Sequence, residues 1–460
     1  MKAEGSEFVG DFYYHNKKNL LRLIIPIVIE QLLASTIGLA DTIMVSSTGE
    51  ASVAGVSNVD AINILLINVF MAVATGATVV ISQYLGADDL KKANRTAVQA
   101  FWISIVISTL IAFVCVIWGS DILGILYGKM KPDVTKQAAE YFFYSALSYP
   151  FLAIYSTCAA VFRAKGNTTA TMVISVIMNV INVSGNAVFI YGMSMEAGGA
   201  ALASLISRVI GAGIMVFLLT RVTQSVNIRG AFPVRLHWDV LKLILFIGVP
   251  AAAESVIFQC GKVMTQNFIT SFGTPAITAN GVVGTIFNIA LIPGNSLNIA
   301  IMTVVGYCIG SSRFREAKRY IRYFVLITMG LQLFTNLAAY LASDQILALF
   351  HLGEKTKGIA SELILTMLFA VPLLWPAAFT TPAGLRAAGD VKFTMVVSIA
   401  TMWLFRVAIG YLLCVVLRYG VTGVWIGMYA DWLARAVIYL IRLRHKSFFS
   451  LVETPQSSGT

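Results

Sequence analysis

The sequence predicts an all-α membrane protein of twelve transmembrane helices, in two six-helix bundles related by a pseudo-two-fold along the membrane normal. Three observations carry that prediction: composition, a series of long uncharged stretches, and an internal repeat. Of 460 residues, 58% are hydrophobic and only 12% are charged, with a mean hydropathy of +0.80. A soluble chain carries about 25% charged residues, and polar groups already struggle to cover a folded surface. Lipid is therefore the solvent for most of this chain. A cytosolic enzyme, a secreted disulfide-held domain and a disordered chain are excluded on the same ground. The five cysteines (115, 158, 260, 308 and 414) are odd in number and mostly lie in apolar stretches, as small core residues do.

Uncharged runs define the elements. Residues 61–87, 96–120, 141–162 and 168–195 each exceed the roughly 20 residues a helix needs to cross a bilayer. A 50-residue uncharged run over 263–312 must be broken by the Gly273-Thr274-Pro275 turn into the end of one span and the whole of the next. The spans then read 20–46, 52–84, 95–118, 138–162, 168–192, 199–220, 240–271, 276–309, 320–343, 360–385, 392–417 and 421–441. The first is too long for a signal-peptide core and is expected to be retained. This divides the chain into an N-terminal segment (1–19), an N-lobe of helices 1–6 (20–221), a linker (222–239), a C-lobe of helices 7–12 (240–445) and a tail (446–460).

Basic residues set the orientation. Twenty-three Lys and Arg fall at the N-terminus, every second loop and the C-terminus, with clusters at Lys91, Lys92 and Arg95 and at Arg313 to Arg322. The alternate loops hold six: Lys129, Lys131, Lys136, Lys355, Lys357 and Arg418. The positive-inside rule then puts both termini in the cytoplasm of a multi-pass protein of the cell (inner) membrane. The net charge of +11 reflects topology and contact with anionic lipid, not a nucleic-acid footprint. The Asn-x-Ser/Thr triplets at Asn94, Asn167 and Asn182 fall at cytoplasmic or membrane positions, where glycosylation is not expected.

The chain repeats itself at an offset of 224. Pro26 and Glu30 map onto Pro250 and Glu254, Gly49 onto Gly273, Gly86 onto Gly310, Ala93 onto Ala317, Arg95 onto Arg319 and Gly199 onto Gly423. Arg-Ala-Lys-Gly-Asn at 163–167 answers Arg-Ala-Ala-Gly-Asp at 386–390, one residue out of step. A collinear series of this length marks a duplicated unit. Six helices per half make the repeats parallel, with the substrate site expected in the cleft between them. No Gly-x-x-x-x-Gly-Lys-[Ser/Thr] loop occurs, and histidines 15, 237, 351 and 445 lack metal-ligand spacing. A transporter of this kind runs on an ion gradient.

Pro26-x-x-x-Glu30, Ala40-Asp41-Thr42-Ile43-Met44-Val45, Gly49-Glu50-Ala51 and Val53-Ala54-Gly55-Val56-Ser57 resemble the first helix pair of the multidrug and toxic compound extrusion (MATE) family. Gln83-Tyr84-Leu85-Gly86-Ala87, Lys92-Ala93, Arg163–Asn167, Gly310, Ala317 and Arg386–Asp390 fit as well, over about residues 15–445. The resemblance, closest to prokaryotic members, implies two bundles in a V, alternating access, and export of organic cations or drugs against Na+ or H+. It makes Asp41 the N-lobe carboxylate that binds the coupling ion. Where members with the fullest N-lobe site often carry Asp, this chain has Asn186. Many members place a helix-7 acid where this chain has Phe258, so the role passes to Glu254 by helix only.

Each charge inside hydrocarbon needs a reason, because an unpaired carboxylate there costs several kcal/mol. Asp41 lies about 30 Å along the first span, toward the outer side, with Asp60 expected near it. Asn182 and Asn186 lie one turn apart and can offer carbonyl oxygens to Na+. Glu30 and Glu254 each follow a proline by one turn, a position that often marks a cavity wall. Polar packing between helices is the plainer reading of the Asn and Asp residues, and charge pairing of the two glutamates. Lys262 reads as a countercharge or a snorkelling lysine, and Arg208 has no evident partner. Asp431 and Arg435, four apart, form with Arg406 a structural charge group. Met44, Gln259, Asn280, Asn288, Phe287 and Tyr307 are candidates to line the cleft, although such residues more often pack.

The resulting expectation is a secondary antiporter, not an enzyme, that is monomeric and has no cofactor beyond its coupling ion, Na+ or H+. Its substrate would be a lipophilic cation, released when the ion binds Asp41 from outside. The alternative is a lipid or lipid-linked oligosaccharide flippase, which should carry more Arg and Lys in its cavity than this acidic cleft. A membrane enzyme would need a His/Asp/Ser or metal constellation that the sequence does not show. A channel fits poorly with two halves joined in one chain.

Overall fold

Caps, glycines and prolines determine where the helices begin and bend. The structure is a computed structural model that describes residues 17–128, 130–221, 225–229, 237–350 and 352–444. Segments 1–16 and 445–460, most of the expected linker, Lys129 and His351 lie outside the described residues. The first half consists of α1 (Lys17–Ser46), α2 (Glu50–Gly86), α3 (Leu90–Tyr127), α4 (Pro132–Ala164), α5 (Thr168–Asn186) and α6 (Glu196–Leu219). Then follow α7 (Trp238–Thr270), α8 (Thr274–Ala290), α9 (Ile292–Gly310), α10 (Phe314–Leu341), α11 (Ser343–Leu349), α12 (Glu354–Trp375), α13 (Thr381–Ala387), α14 (Val391–Thr401) and α15 (Gly420–Arg444). Twelve spans among the described residues are long and apolar enough to cross a membrane, and no strand occurs among those residues.

Local chemistry explains the boundaries. Asp89 opens α3 by accepting from the backbone N–H of Lys92 at 2.9 Å, and Asn167 opens α5 through Ala170 at 3.4 Å. Each satisfies one of the amides that a helix N-terminus leaves unpaired. Gly49 (φ 125°) and Gly273 (φ 82°) precede α2 and α8 in a region that side chains disfavour. They are repeat mates, so the duplication extends to the backbone turn.

The structure departs from the sequence reading in three ways. The eighth span, expected unbroken over 276–309, is interrupted at Leu291 between α8 and α9; Pro293 lacks an N–H and crowds the preceding turn. The short α11 was not expected. The third span runs past 118 to Tyr127, bending at Trp118 (φ −106°, ψ 18°) rather than ending there. In addition, wide π turns continue α5 (Ala187–Gly192), α12 (Pro376–Thr380) and α14 (Met402–Ile409 and Leu412–Val416). Such turns insert a residue, re-aim side chains and recur at functional sites.

Contacts divide the chain into Met1–Ala252 and Ala253–Thr460, a break inside α7. In the first unit α4 packs against α2, α3 and α6 around a core that includes Val59, Phe70, Phe142 and Tyr149. The second unit packs α10 on α9 and α12, and α15 on the π turn after α14. Its core includes Val283, Leu363, Met367, Trp375 and Trp432. Helix backbones approach closely where small residues permit it: a Cβ on Gly55 would lie 2.8 Å from the Ala138 amide, and one on Gly427 2.7 Å from Gly410.

Candidate functional site: one polar cavity in each unit

The first unit encloses a cavity of about 500 Å³. Glu30 and Asp41, eleven residues apart on α1, both line it, since eleven residues make three helical turns. Asp60, Asn182 and Arg208 join them from α2, α5 and α6. Asn186 Nδ2 donates to Asp41 Oδ1 at 2.5 Å. Asn63 Nδ2 and Tyr141 Oη each donate to Asp60 Oδ1 at 3.1 Å, and Tyr149 Oη donates to Asn63 Oδ1 at 2.7 Å. Asn182 Nδ2 donates to Ser204 Oγ at 2.9 Å, while the carbonyl oxygens of Asn182 and Asn186 are buried with no partner among the described residues. The two aspartates thus take their hydrogen bonds from neutral side chains. Arg208, for which the sequence offered no partner, donates to Ser148 Oγ at 2.5 Å.

The second unit holds a cavity of about 350 Å³ with the opposite polarity. Among the described residues its charged lining residues are Lys262 on α7 and Arg406 in the π turn after α14, and no carboxylate of those residues lines it. The first cavity is lined by three carboxylates, those of Glu30, Asp41 and Asp60, and by two arginines, Arg163 and Arg208. The charge group is more connected than an i,i+4 pair: Asp431 Oδ1 lies 2.7 Å from Arg435 Nε and its Oδ2 3.3 Å from Arg406 Nε. Arg435 also donates to Thr401 Oγ1 at 3.0 Å and to the Ser398 carbonyl at 2.9 Å. Aromatic rings form much of the remaining wall, beside the amides of Asn280, Asn288, Asn295 and Asn298. Phe287 stacks on Trp432 (6.0 Å, 14°) and Trp375 on Phe379 (5.0 Å, 20°), and the Arg406 guanidinium stands 5.0 Å over the Phe258 ring.

Glu30 and Glu254 are each paired with the arginine of the repeated Arg-Ala-x-Gly motif. Arg163 Nη1 is 3.4 Å from Glu30 Oε1, and Arg386 Nη1 is 2.9 Å from Glu254 Oε2. Glu30 also accepts from Thr171 Oγ1 at 2.9 Å. Two residues after Arg163, Lys165 donates to the Val226 carbonyl at 3.3 Å and stands 4.7 Å over the Phe162 ring. Burial pulls its ammonium down to about 8.

Of the expected site residues, Asp41, Asp60, Glu30 and Asn182 line one cavity, with Asn186 bonded to Asp41. Phe287, Asn280 and Asn288 line the other. Asn280 is fixed there, donating to Gln266 at 3.1 Å and accepting from Trp425 Nε1 at 3.0 Å. Met44 packs against the first unit's core, Tyr307 is buried in α9, and neither they, Gln259 nor Glu254 lines either cavity. The sequence reading missed Asn63, Tyr141 and Ser204 as partners of the site, and missed Arg406 as a cavity residue. Applying the 224-residue offset to polar positions as well as to prolines and glycines would have paired Arg406 with Asn182.

The MatE family profile matches the chain twice, over residues 26–188 and 250–412, segments related by the chain's own repeat offset. The chain is 28% identical over 440 residues to the uncharacterized transporter YisQ of Bacillus subtilis, spanning 93% of this chain and 94% of that one. It is 23% identical over 432 residues to the probable multidrug resistance protein NorM of Thermotoga maritima, spanning 92% and 91%. In fold it matches an outward-facing MATE transporter of the MOP superfamily, with a TM-score of 0.90 and 20% identity over 98% and 99% of the two chains. A MOP-superfamily transporter from Pyrococcus furiosus, described as having a binding pocket of reverse polarity, matches with a TM-score of 0.88 and 21% identity over 98% and 99%. Two profile matches across most of the chain, in step with its internal repeat, make this protein a member of the MATE family of multi-pass membrane transporters.

Proposed function

We propose that this transporter is a cation-coupled exporter of the cell membrane, both termini cytoplasmic, in which Asp41 carries the coupling ion. The observation that carries this reading is the cluster of Asp41 with the two partnerless carbonyl oxygens of Asn182 and Asn186. One carboxylate and neutral oxygens suit a hard monovalent cation, and the same carboxylate can take a proton. Among the described residues no group of three His, Cys, Asp or Glu is placed for a metal, so a Na+ site here rests mainly on amide oxygens. Ion and substrate prefer different states, which couples their opposite movement by alternating access. The multidrug resistance relative and the acidic first cavity both support organic cations or drugs as substrate.

The test is efflux of a fluorescent lipophilic cation from proteoliposomes under an imposed Na+ or H+ gradient. Gradient-driven efflux supports the reading and identifies the ion. A second reading, a flippase for lipid or lipid-linked oligosaccharide, is favoured by Lys262 and Arg406 in the second cavity, which suit a phosphate head group. Protein-dependent translocation of a fluorescent anionic lipid, without cation efflux under either gradient, would establish it instead.

A further inference from the structure

We infer that Arg208 sets the valence of the cation site in the first unit. It is a fixed positive charge that offsets one of two carboxylates, so the cavity takes a single positive charge and discriminates against dications. Among the described residues, the charged residues lining this cavity are Glu30, Asp41, Asp60, Arg163 and Arg208. Glu30 is neutralised by Arg163 at 3.4 Å. Asp41 and Asp60 take their hydrogen bonds from neutral side chains. With Arg208 counted against them, the ion-free cavity keeps one net negative charge, which one monovalent cation or one proton cancels. Uncompensated charge of either sign is costly away from water, so occupancy by one positive charge is the favoured loaded state.

The local geometry holds Arg208 beside the site without filling it. Arg208 and Ser204 are four residues apart on α6 and share a face, and Ser204 Oγ accepts from Asn182 Nδ2 at 2.9 Å. On α4, Tyr141 donates to Asp60 at 3.1 Å. Ser148, two turns further along the same face, accepts from Arg208 Nη1 at 2.5 Å. Ser148 is fully buried and spends its own hydrogen on the Ser145 carbonyl at 2.6 Å, which leaves its lone pairs for the guanidinium. Seven residues of helix span about 10 Å, and that length separates the anchor of Asp60 from the anchor of Arg208. No carboxylate lies within 4.0 Å of Arg208 among the described residues. Its field still reaches the site, because a medium less polar than water screens charge weakly. The carbonyl oxygens of Asn182 and Asn186 meanwhile stay without a partner among those residues.

The duplication supplies a second observation. At 224 residues beyond Asp41, Asp60 and Arg208 stand Thr265, Gly284 and Trp432, and all three line the second cavity. The two acids and the arginine are thus present together in one unit and absent together from the other, as one charge set. Glu30 and Arg163, in contrast, recur as Glu254 and Arg386 in a pair of their own. Without Arg208, two carboxylates and two amide oxygens make a donor set suited to a double positive charge.

The inference rests on the reading of Asp41 as the ion-binding carboxylate, but it is tested by binding alone, with no gradient. The probes are N-methyl-4-phenylpyridinium and methyl viologen, flat cations of similar size that differ by one positive charge. Calorimetric titration of the full-length protein measures both, in Na+-free buffer at a pH above the carboxylate range. R208Q is expected to raise the affinity for the dication at least about tenfold relative to the monocation, and R208K to keep the wild-type ratio. R208Q/D60N restores a single net negative charge and should return the ratio to near the wild-type value, a rescue that a merely structural role for Arg208 does not predict. An unchanged ratio in R208Q, a ratio that stays raised in the double variant, or no binding of either cation overturns the inference. Should R208Q alone not fold, D60N decides: its neutral cavity should bind both cations at least about tenfold more weakly, and unchanged affinity overturns the charge accounting. Asp41→Asn separates the two readings. Monocation binding that ignores Asp41 removes the ion site of the export reading, whereas Asp41-dependent binding with an unchanged R208Q ratio overturns only the role of Arg208.

Discussion

Asn182 and Arg406 stand 224 residues apart at one position of the repeat, and each lines the cavity of its own unit. One offers a partnerless carbonyl oxygen in the cavity that Asp41 also lines, the other a guanidinium beside Asp431. A duplicated scaffold has thus diverged in charge at a position that lines both cavities. Exchanging the residue types tests how far this single position sets polarity. Asn182→Arg places a cation beside Asp41, whose carboxylate it would neutralise. Gradient-driven cation efflux should fall at least about tenfold in proteoliposomes, a loss of about 1.4 kcal/mol in the barrier, with the amount of folded protein unchanged by size-exclusion chromatography.

Asp431 is the countercharge for two buried arginines. Asp431→Asn leaves both without a carboxylate and should cost about 3–5 kcal/mol, read as a lowered unfolding temperature. Arg406→Met removes one cation but keeps the 2.7 Å pair of Asp431 with Arg435, so its loss should be much smaller. Equal losses in the two variants would contradict this division.

The two Glu–Arg pairs make a graded prediction. Side-chain exposure is 5% and 9% for Arg163 and Glu30, against 17% and 16% for Arg386 and Glu254. Glu30→Gln should therefore destabilise by about 3–5 kcal/mol. Glu254→Gln should cost less, about 1–3 kcal/mol, because the pair it breaks is less deeply buried. Thermal unfolding in one detergent compares them, and a larger loss for Glu254→Gln would contradict the burial argument.

Much of this was legible in the sequence, and the reason differs by feature. Spans were legible because an unpaired charge in hydrocarbon is costly, so long stretches with few charges mark them. The Glu–Arg pairs were half legible: Glu30 and Glu254 recur as repeat mates, and so do Arg163 and Arg386, but each charge was weighed alone. The π turns were not legible, because one inserted residue alters helix register without changing composition. For the same reason Arg406 read as part of a structural pair rather than a cavity wall. Pro293 is the sequence feature at the break between α8 and α9, and the sequence reading, following the uncharged run, did not use it.

Gly55, within the Val53–Ser57 motif, permits α2 to touch α4. Gly55→Ala puts a methyl 2.8 Å from the Ala138 amide nitrogen, a contact with backbone that cannot rotate away. The expected cost is about 1–3 kcal/mol, measured by thermal unfolding. Gly124→Ala, with open space around its Cβ, is the control and should cost nothing by crowding.

Lys165 supplies a pH dependence. Its ammonium titrates near 8 in the folded protein, because burial disfavours the charge, and near 10.4 when unfolded. Between those values the unfolded chain holds more protons, so stability rises with pH across that window. Lys165→Met should abolish this increment and be relatively more stable at pH 7. Unfolding temperatures of both proteins measured from pH 7 to 10 should converge as pH rises, whereas parallel curves would contradict the burial of the amine.

The central claim is that the acidic first cavity couples the ion while the basic second cavity does not. The most direct measurement is cation efflux from proteoliposomes under Na+ and H+ gradients, with Asp41→Asn and Arg406→Gln run side by side. The prediction is that Asp41→Asn abolishes gradient-driven efflux and that Arg406→Gln keeps it. Coupling that survives Asp41→Asn, or is lost in Arg406→Gln alone, would contradict the claim.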